Sequence, residues 1–323
     1  MTGARRGASP LRLGTRKSPM AIVQSQRVAE LIAQRTGRAV ELAGITTFGD
    51  VSRADLAQIG GTGVFVSGLR ASLLAGDIDL AVHSLKDLPT AAPDGIELAA
   101  VPPREDPRDA LAARDGAKLA DLPAGATIGT GSPRRAAQLL LLRADLRPVP
   151  VRGNAGTRLA KVASGELDAV VLAYAGLARI DRLDAVTQVF EPDEMLPAPG
   201  QGALAVECRS GEPVLAGLLA CADDPVTRAA VTAERSLLAA LQAGCSAPVG
   251  GYAAGTDLLR LRAFAAPADG ETTALRASAD GPAAEAERLG REVAAELLRR
   301  GAGRYTAVSA WRAGHISNGD DVE

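Results

Sequence analysis

A chain of 323 residues, 47% apolar and 23% charged, is long enough for two or three globular domains. A net charge of −2, a pI near 5.9 and 2% aromatics argue against nucleic acid or an anionic membrane as the main partner, since few rings are available to stack on bases. Three cysteines, Cys208, Cys221 and Cys245, make neither a disulfide framework nor a metal-ligand spacing. Residues 1–10 read as a tail. Leu11 to Thr15 reads as a strand, and Ser18-Pro19 opens a helix whose stripe of Ile22, Val23, Val28, Leu31 and Ile32 ends before Gly37. Val40 to Thr46 is a second strand. A Gly60-Gly61-Thr62-Gly63 turn leads to a helix over Val64 to Ala75, closed by Gly76. Ile78 to Val82 is a short buried strand, and Ile96 to Val101 another. Pro102, Pro103 and Pro107 mark a linker.

Beyond the linker the alternation repeats. Thr127 to Thr130 reads as a strand, Ser132-Pro133 opens a helix to about Arg143, and Val149 to Val151 is a strand. Asn154 caps a helix ending near Gly165, and Asp168 to Ala173 is a buried strand. Pro192, Pro197, Pro199, Gly200 and Gly202 make a second crossing, and Ala203 to Glu207 is a strand that returns to the first lobe. Asp224-Pro225 opens a long helix over Val226 to Gln242. Leu258 to Phe264 and Ala274 to Ala279 alternate as antiparallel strands, and Pro282 opens an amphipathic helix ending near Arg300. The fold expected is α/β in three domains. Residues 11–103 with 203–222 form one lobe, 104–202 a second, and 225–315 a small C-terminal domain with an antiparallel sheet; 318–323 is a polar tail. Ala169 to Ala178, an uncharged and mostly apolar run, is too short to span a bilayer, and no apolar segment follows the charged start as in a signal peptide. The expectation is a cytoplasmic protein with reduced thiols.

Chemistry concentrates after the strand Ile78 to Val82, where His83, Ser84, Lys86 and Asp87 gather before Pro89. Open α/β sheets bind ligands at the carboxyl ends of their strands. Three helix starts carry guanidinium groups beside free backbone N–H groups: Thr15-Arg16-Lys17-Ser18-Pro19, Thr130-Gly131-Ser132-Pro133-Arg134-Arg135, and Arg152-Gly153-Asn154-Ala155-Gly156-Thr157-Arg158. Such ends favour anions, and an arginine fork holds a carboxylate through two bonds, each contributing roughly 1.5–3 kcal/mol. The ligand expected is a polycarboxylate or a phosphate. Lysine occurs only at Lys17, Lys86, Lys118 and Lys161, so arginine carries most basic charge and no single arginine is distinctive. The turn ending at Gly63 lacks the Lys-Ser/Thr close of a nucleotide loop and reads as structural. His83 orders the turn near Asp87, and His315 is a surface residue. Cys208 and Cys221 read as buried and inert. Cys245, in a Gly-Cys-Ser-Ala-Pro loop, reads as a nucleophile or an attachment point. A non-catalytic two-lobed module for an anionic small molecule is the alternative to an enzyme.

Together these pieces resemble the porphobilinogen deaminase (hydroxymethylbilane synthase) family. The resemblance rests on Thr15 to Pro19, Val82-His83-Ser84-Leu85-Lys86-Asp87, Arg104-Glu105-Asp106-Pro107-Arg108-Asp109-Ala110, Arg134-Arg135 and Arg152 to Arg158. It continues with Leu196-Pro197-Ala198-Pro199-Gly200-Gln201-Gly202, Thr232-Ala233-Glu234-Arg235 and Gly244-Cys245, in family order. It implies two lobes like type II periplasmic binding proteins, joined by two hinge crossings, and a third small domain. It implies a transferase of porphyrin, tetrapyrrole and heme biosynthesis. Such an enzyme joins four porphobilinogen units, with release of ammonia, to give hydroxymethylbilane. The resemblance also implies a dipyrromethane cofactor attached through Cys245. Asp87 matches the catalytic aspartate. Ser84, Lys86, Ser132, Arg134 and Arg135, with Asp87, match cofactor-binding positions, and Arg16, Ser18, Arg152, Arg158 and Arg179 match substrate-binding ones. No metal, nucleic acid or membrane is implied, and a monomer is. Thr62, Gly131 and Pro133 depart from the family's usual residues.

Overall fold

A computed structural model describes residues 9–45, 63–91, 93–244, 247–267 and 274–306. Cys245, His315, the turn at Gly60, Gly61 and Thr62, residues 1–8 and the tail 318–323 lie outside the described residues.

The first lobe begins with β1 (Leu11–Arg16), α1 (Pro19–Thr36) and β2 (Val40–Ile45). The Ser18 hydroxyl caps α1 by accepting from Ala21 N–H at 3.4 Å. Then come α2 (Gly63–Ala75), β3 (Leu80–Ser84), a 3-10 turn over Leu85–Asp87, and β4 (Ile96–Ala100). After the first crossing the second lobe holds β5 (Asp109–Ala113), β6 (Thr127–Gly129), α3 (Pro133–Leu142) and β7 (Arg147–Val149). It closes with α4 (Ala155–Ala163), β8 (Ala169–Ala173), α5 (Tyr174–Arg179) and β9 (Gln188–Val189). The chain recrosses into β10 (Leu204–Arg209) and α6 (Pro213–Leu219). The C-terminal domain is α7 (Pro225–Ala240), β11 (Val249–Ala254), β12 (Leu258–Ala265), β13 (Leu275–Pro282), α8 (Ala286–Arg299) and α9 (Gly303–Thr306).

The two lobes are built alike. Their sheets run β2-β1-β3-β10-β4 and β7-β6-β8-β5-β9. In each, three strands are parallel, and the strand arriving from a crossing pairs antiparallel with the third: β10 with β3, β5 with β8. β1 and β3 in the first lobe, and β6, β7 and β8 in the second, therefore end at the cleft, each beside residues that line it. Leu11, Leu13, Leu80 and Val206 anchor the first core, and Leu111, Ile128, Val171 and Phe190 one core of the second. Met20 of α1 packs against another apolar cluster of the second lobe, so the lobes touch beside the cleft. The third sheet, β11-β12-β13, is wholly antiparallel and packs α7 and α8 on one face through Leu237, Leu261 and Leu289.

Several expected boundaries shift. The strand expected over Ile78 to Val82 is β3, Leu80–Ser84. Asp79 is held at its start by Arg12, and pairing with Leu204 and Ala205 carries the strand on to Ser84. His83 and Ser84 thus belong to the strand rather than following it. The strand expected at Val149 to Val151 lies at Arg147–Val149, where β6 offers its partners. Pro282 ends β13 rather than opening a helix; a 3-10 turn, Ala283–Glu285, intervenes before α8. Cys208 is buried as expected, and burial pushes its thiol up to about 12. Cys221, expected to be buried, is half-buried.

Candidate active site

The cleft is lined from both lobes. Arg16 and Ser18 stand at the end of β1, and His83, Ser84, Lys86 and Asp87 at the end of β3. Arg135, Asn154, Arg158 and Arg179 come from the second lobe. The cavity holds about 260 Å³. A water takes about 30 Å³, so this is room for an organic ligand rather than a lone ion. Each polar group has a local reason to be there. Ser84 ends a strand, the 3-10 turn then lifts Lys86 and Asp87, and Leu85 and Leu88 bury beneath them. Asn154 caps α4 by accepting from Thr157 N–H at 2.9 Å, which starts the helix that carries Arg158.

Behind the lining lies a dry charge network. Asp109, the first residue of β5, is fully buried. It accepts Nη1 of Arg134 at 2.7 Å, and Nε and Nη2 of Arg135 at 3.0 and 2.7 Å. Burial alone would raise its carboxyl, but the charges of Arg134 and Arg135 outweigh that and hold it well below the usual range. Gln201 donates to Asp109 at 2.8 Å and accepts from Lys86 Nζ at 3.2 Å, so the second crossing connects the lysine to the network. Burial and the neighbouring Arg135 push the Lys86 ammonium down to about 8, while Asp87 and Asp109 pull it back. Burial, then the charge of Arg135, also lowers Arg158.

A second buried group braces the strand. Glu207 of β10 accepts Nε and Nη2 of Arg70 at 3.0 and 2.7 Å. His83 Nε2 lies 3.2 Å from Glu207, off the line of a good hydrogen bond. Burial opposes ionisation of Glu207, but His83 and Arg70 outweigh it and bring the group down to about 2. On the far side, Arg235 of α7 donates to the carbonyls of Leu88 and Pro89 at 3.1 and 2.8 Å, so the C-terminal domain clamps the turn that carries Asp87.

Of the residues singled out in the sequence, Arg16, Ser18, Ser84, Lys86, Asp87, Arg135, Arg158 and Arg179 share the cleft. Arg134 turns into the Asp109 network and the Leu196 carbonyl. Ser132 caps α3, accepting from Arg135 N–H at 3.4 Å. Arg152 is exposed and off the lining. Asp109, Gln201, Glu105 and Glu207 were not singled out as site residues. The first three sit in quoted motifs, whose sequence gives no sign of their partners. Among the described residues no group of His, Cys, Asp and Glu could hold a metal ion, and no helix is long and apolar enough to cross a membrane.

Whether the cleft fits a dipyrromethane turns on charge. Among the described lining residues, Arg16, Lys86, Arg135, Arg158 and Arg179 face one carboxylate, Asp87. That excess suits a ligand bearing several carboxylates, as every pyrrole unit with acetate and propionate arms does.

Comparison with known proteins gives the same answer. A model for the "Porphobilinogen deaminase, dipyromethane cofactor binding domain" matches residues 11–216, and one for the "Porphobilinogen deaminase, C-terminal domain" matches 228–299. The chain is 60% identical over 314 residues to a protein named porphobilinogen deaminase from Thermobifida fusca, covering 94% of this chain and 97% of that one. It is 57% identical over 309 residues to porphobilinogen deaminase 1 of Streptomyces coelicolor, covering 90% and 96%. Among solved structures, a periplasmic substrate-binding protein from Coxiella burnetii aligns over 68% of this chain and 94% of its own, at 16% identity and a TM-score of 0.41, a likeness too loose to speak of ligand. On the length and identity of these matches, the chain belongs to the porphobilinogen deaminase family.

Proposed function

We propose that Asp87 is the catalytic carboxylate of this family's reaction in this chain, and that the arginines around it hold the carboxylates of the pyrroles. The reaction is a transfer in which four porphobilinogen units are joined, ammonia leaves at each joining, and hydroxymethylbilane results. The dipyrromethane, when bound, supplies the primer to which units are added. The observation that carries the assignment is the position of Asp87: the one acidic side chain among the described residues lining a cleft of five cations. A carboxylate there accepts hydrogen bonds from pyrrole N–H groups and stabilises the cation that develops as the amine departs. Arg16, Ser18, Arg158 and Arg179 take the substrate's acid arms, with Arg152 reaching in from the rim. Ser84, Lys86 and Arg135 take those of the cofactor, with Ser132 and Arg134 fixing the helix start that presents Arg135.

Cys245 is the attachment point in this reading. Its support is the Gly244-Cys245 match to the family and the inert setting of Cys208. The units are residues 11–103 with 203–222, 104–202, and 225–315, working as a cytoplasmic monomer without nucleic acid. A non-catalytic anion-binding module has nothing specific to favour it. Asp87→Asn is expected to reduce porphobilinogen consumption at least a hundredfold while the melting temperature moves by only a few degrees; near-normal turnover would refute the role. Intact mass is expected to exceed the sequence mass by a two-pyrrole adduct that Cys245→Ser abolishes. An active protein without the adduct would remove the attachment.

A further inference from the structure

The two crossings between the lobes are hydrogen-bonded to each other, by Arg104 Nε to the Gln201 carbonyl, by the Gln201 amide to the Pro107 carbonyl, and by a backbone bond. Glu105 N–H, in the first, donates to the Gly202 carbonyl, in the second, at 3.2 Å. Gly202 has φ +86, and a Cβ there would stand 2.5 Å from the Glu105 carbonyl oxygen, so no larger residue fits. The Glu105 side chain leaves from this point and is held from both sides. One oxygen accepts Arg27 Nη1 at 2.8 Å, from α1 of the first lobe. The other accepts Arg179 Nε at 2.8 Å, from α5 of the second. Arg179 also donates Nη2 to the Gly202 carbonyl at 3.1 Å.

The two limbs differ. The Arg27 side chain is 45% exposed and that of Arg179 3%, with Glu105 28% exposed in both, so water screens the first pair more than the second. Arg179 also lines the cleft with Asp87, Arg158 and Arg135. A guanidinium that lines the cleft is thus already holding a carboxylate of the protein.

We propose that Glu105 is a positioning residue, a hinge latch that grips one arginine from each lobe, and that a carboxylate of the substrate takes its place on Arg179. This rests on the reading of the cleft as a carboxylate site. Exchange replaces one charge-assisted pair with another, so it changes the connection between the lobes at little net free energy. Glu105 keeps Arg27 after the exchange, and the second lobe is released. The lobes are tied when the cleft lacks substrate and untied when Arg179 is engaged.

The test compares wild type, Glu105→Gln and Arg27→Gln as cofactor-loaded proteins, by porphobilinogen kinetics and by small-angle X-ray scattering without substrate. Glu105→Gln is expected to lower KM several-fold, because Arg179 is no longer shared, and to lower kcat about tenfold. Its radius of gyration is expected to exceed that of wild type. Arg27→Gln is expected to enlarge the radius and lower kcat without lowering KM, because Arg179 stays paired; this variant carries the test alone if Glu105→Gln does not fold. An unchanged radius in both variants overturns the latch, as does wild-type kcat in Arg27→Gln. If wild type itself consumes no porphobilinogen, the functional reading fails, while the scattering still decides the latch.

Discussion

Lys86 is the residue through which pH acts on the cleft. Its folded pKa of about 8 lies below the ordinary 10.5. Below pH 8 the ammonium stays charged at a cost to the fold. Between 8 and 10.5 the unfolded chain keeps a proton that the folded one has released, so stability rises with pH across that window. Ligand binding runs the other way, because a neutral lysine attracts no carboxylate. The kcat for porphobilinogen is expected to fall above about pH 8, as the cofactor's acid arms lose that hold, and Lys86→Met to flatten that limb of the profile. Lys86 and Asp87 were readable in the sequence because they stand together after a buried run. Asp109 and Gln201 were not, because their roles come from partners distant in the chain. Arg134 is 25 positions from Asp109, and Gln201 is 92 from it.

Among elements, helices were read well and short strands less so, for a physical reason. Ser18, Ser132, Asn154 and Asp224 each cap a helix with their own side chain, so the signal is local. β3 and β7 take their limits from neighbours across the sheet, and both were misplaced by two residues. β5, β9, α5 and α6, of two to seven residues each, were not read at all. Close packing is equally silent in sequence. At Gly290 in α8, a Cβ would meet the Ala233 carbonyl oxygen at 2.4 Å and Ser236 Cβ at 2.6 Å, both on α7. Gly290→Ala must push the two helices apart, and we expect a loss of about 1–3 kcal/mol in urea denaturation. No change would mean that the helices part without strain.

At the scale of the molecule, Glu234 joins both crossings to the C-terminal sheet. Fully buried on α7, it accepts Nη1 and Nη2 of Arg104 in the first crossing at 2.6 and 3.1 Å. It also accepts Gly200 N–H in the second crossing at 2.6 Å, and Ala253 N–H of β11 at 2.9 Å. Glu234→Gln leaves a guanidinium 10% exposed without its countercharge. The expected loss is about 3–5 kcal/mol by chemical denaturation, with the C-terminal domain unfolding ahead of the lobes. The two-lobed plan was legible because proline and glycine mark both crossings; this junction was not, since Glu234 reads as one more polar residue on a helix.

The place of β10 between β3 and β4 also orders events at the ribosome. Residues 204–209 emerge only after every strand of the second lobe, which is one unbroken run from 109 to 189. The nascent protein can therefore finish its second lobe before its first. A translation product halted at residue 202 exposes β3 and β4 as raw edges, the kind of template on which chains aggregate.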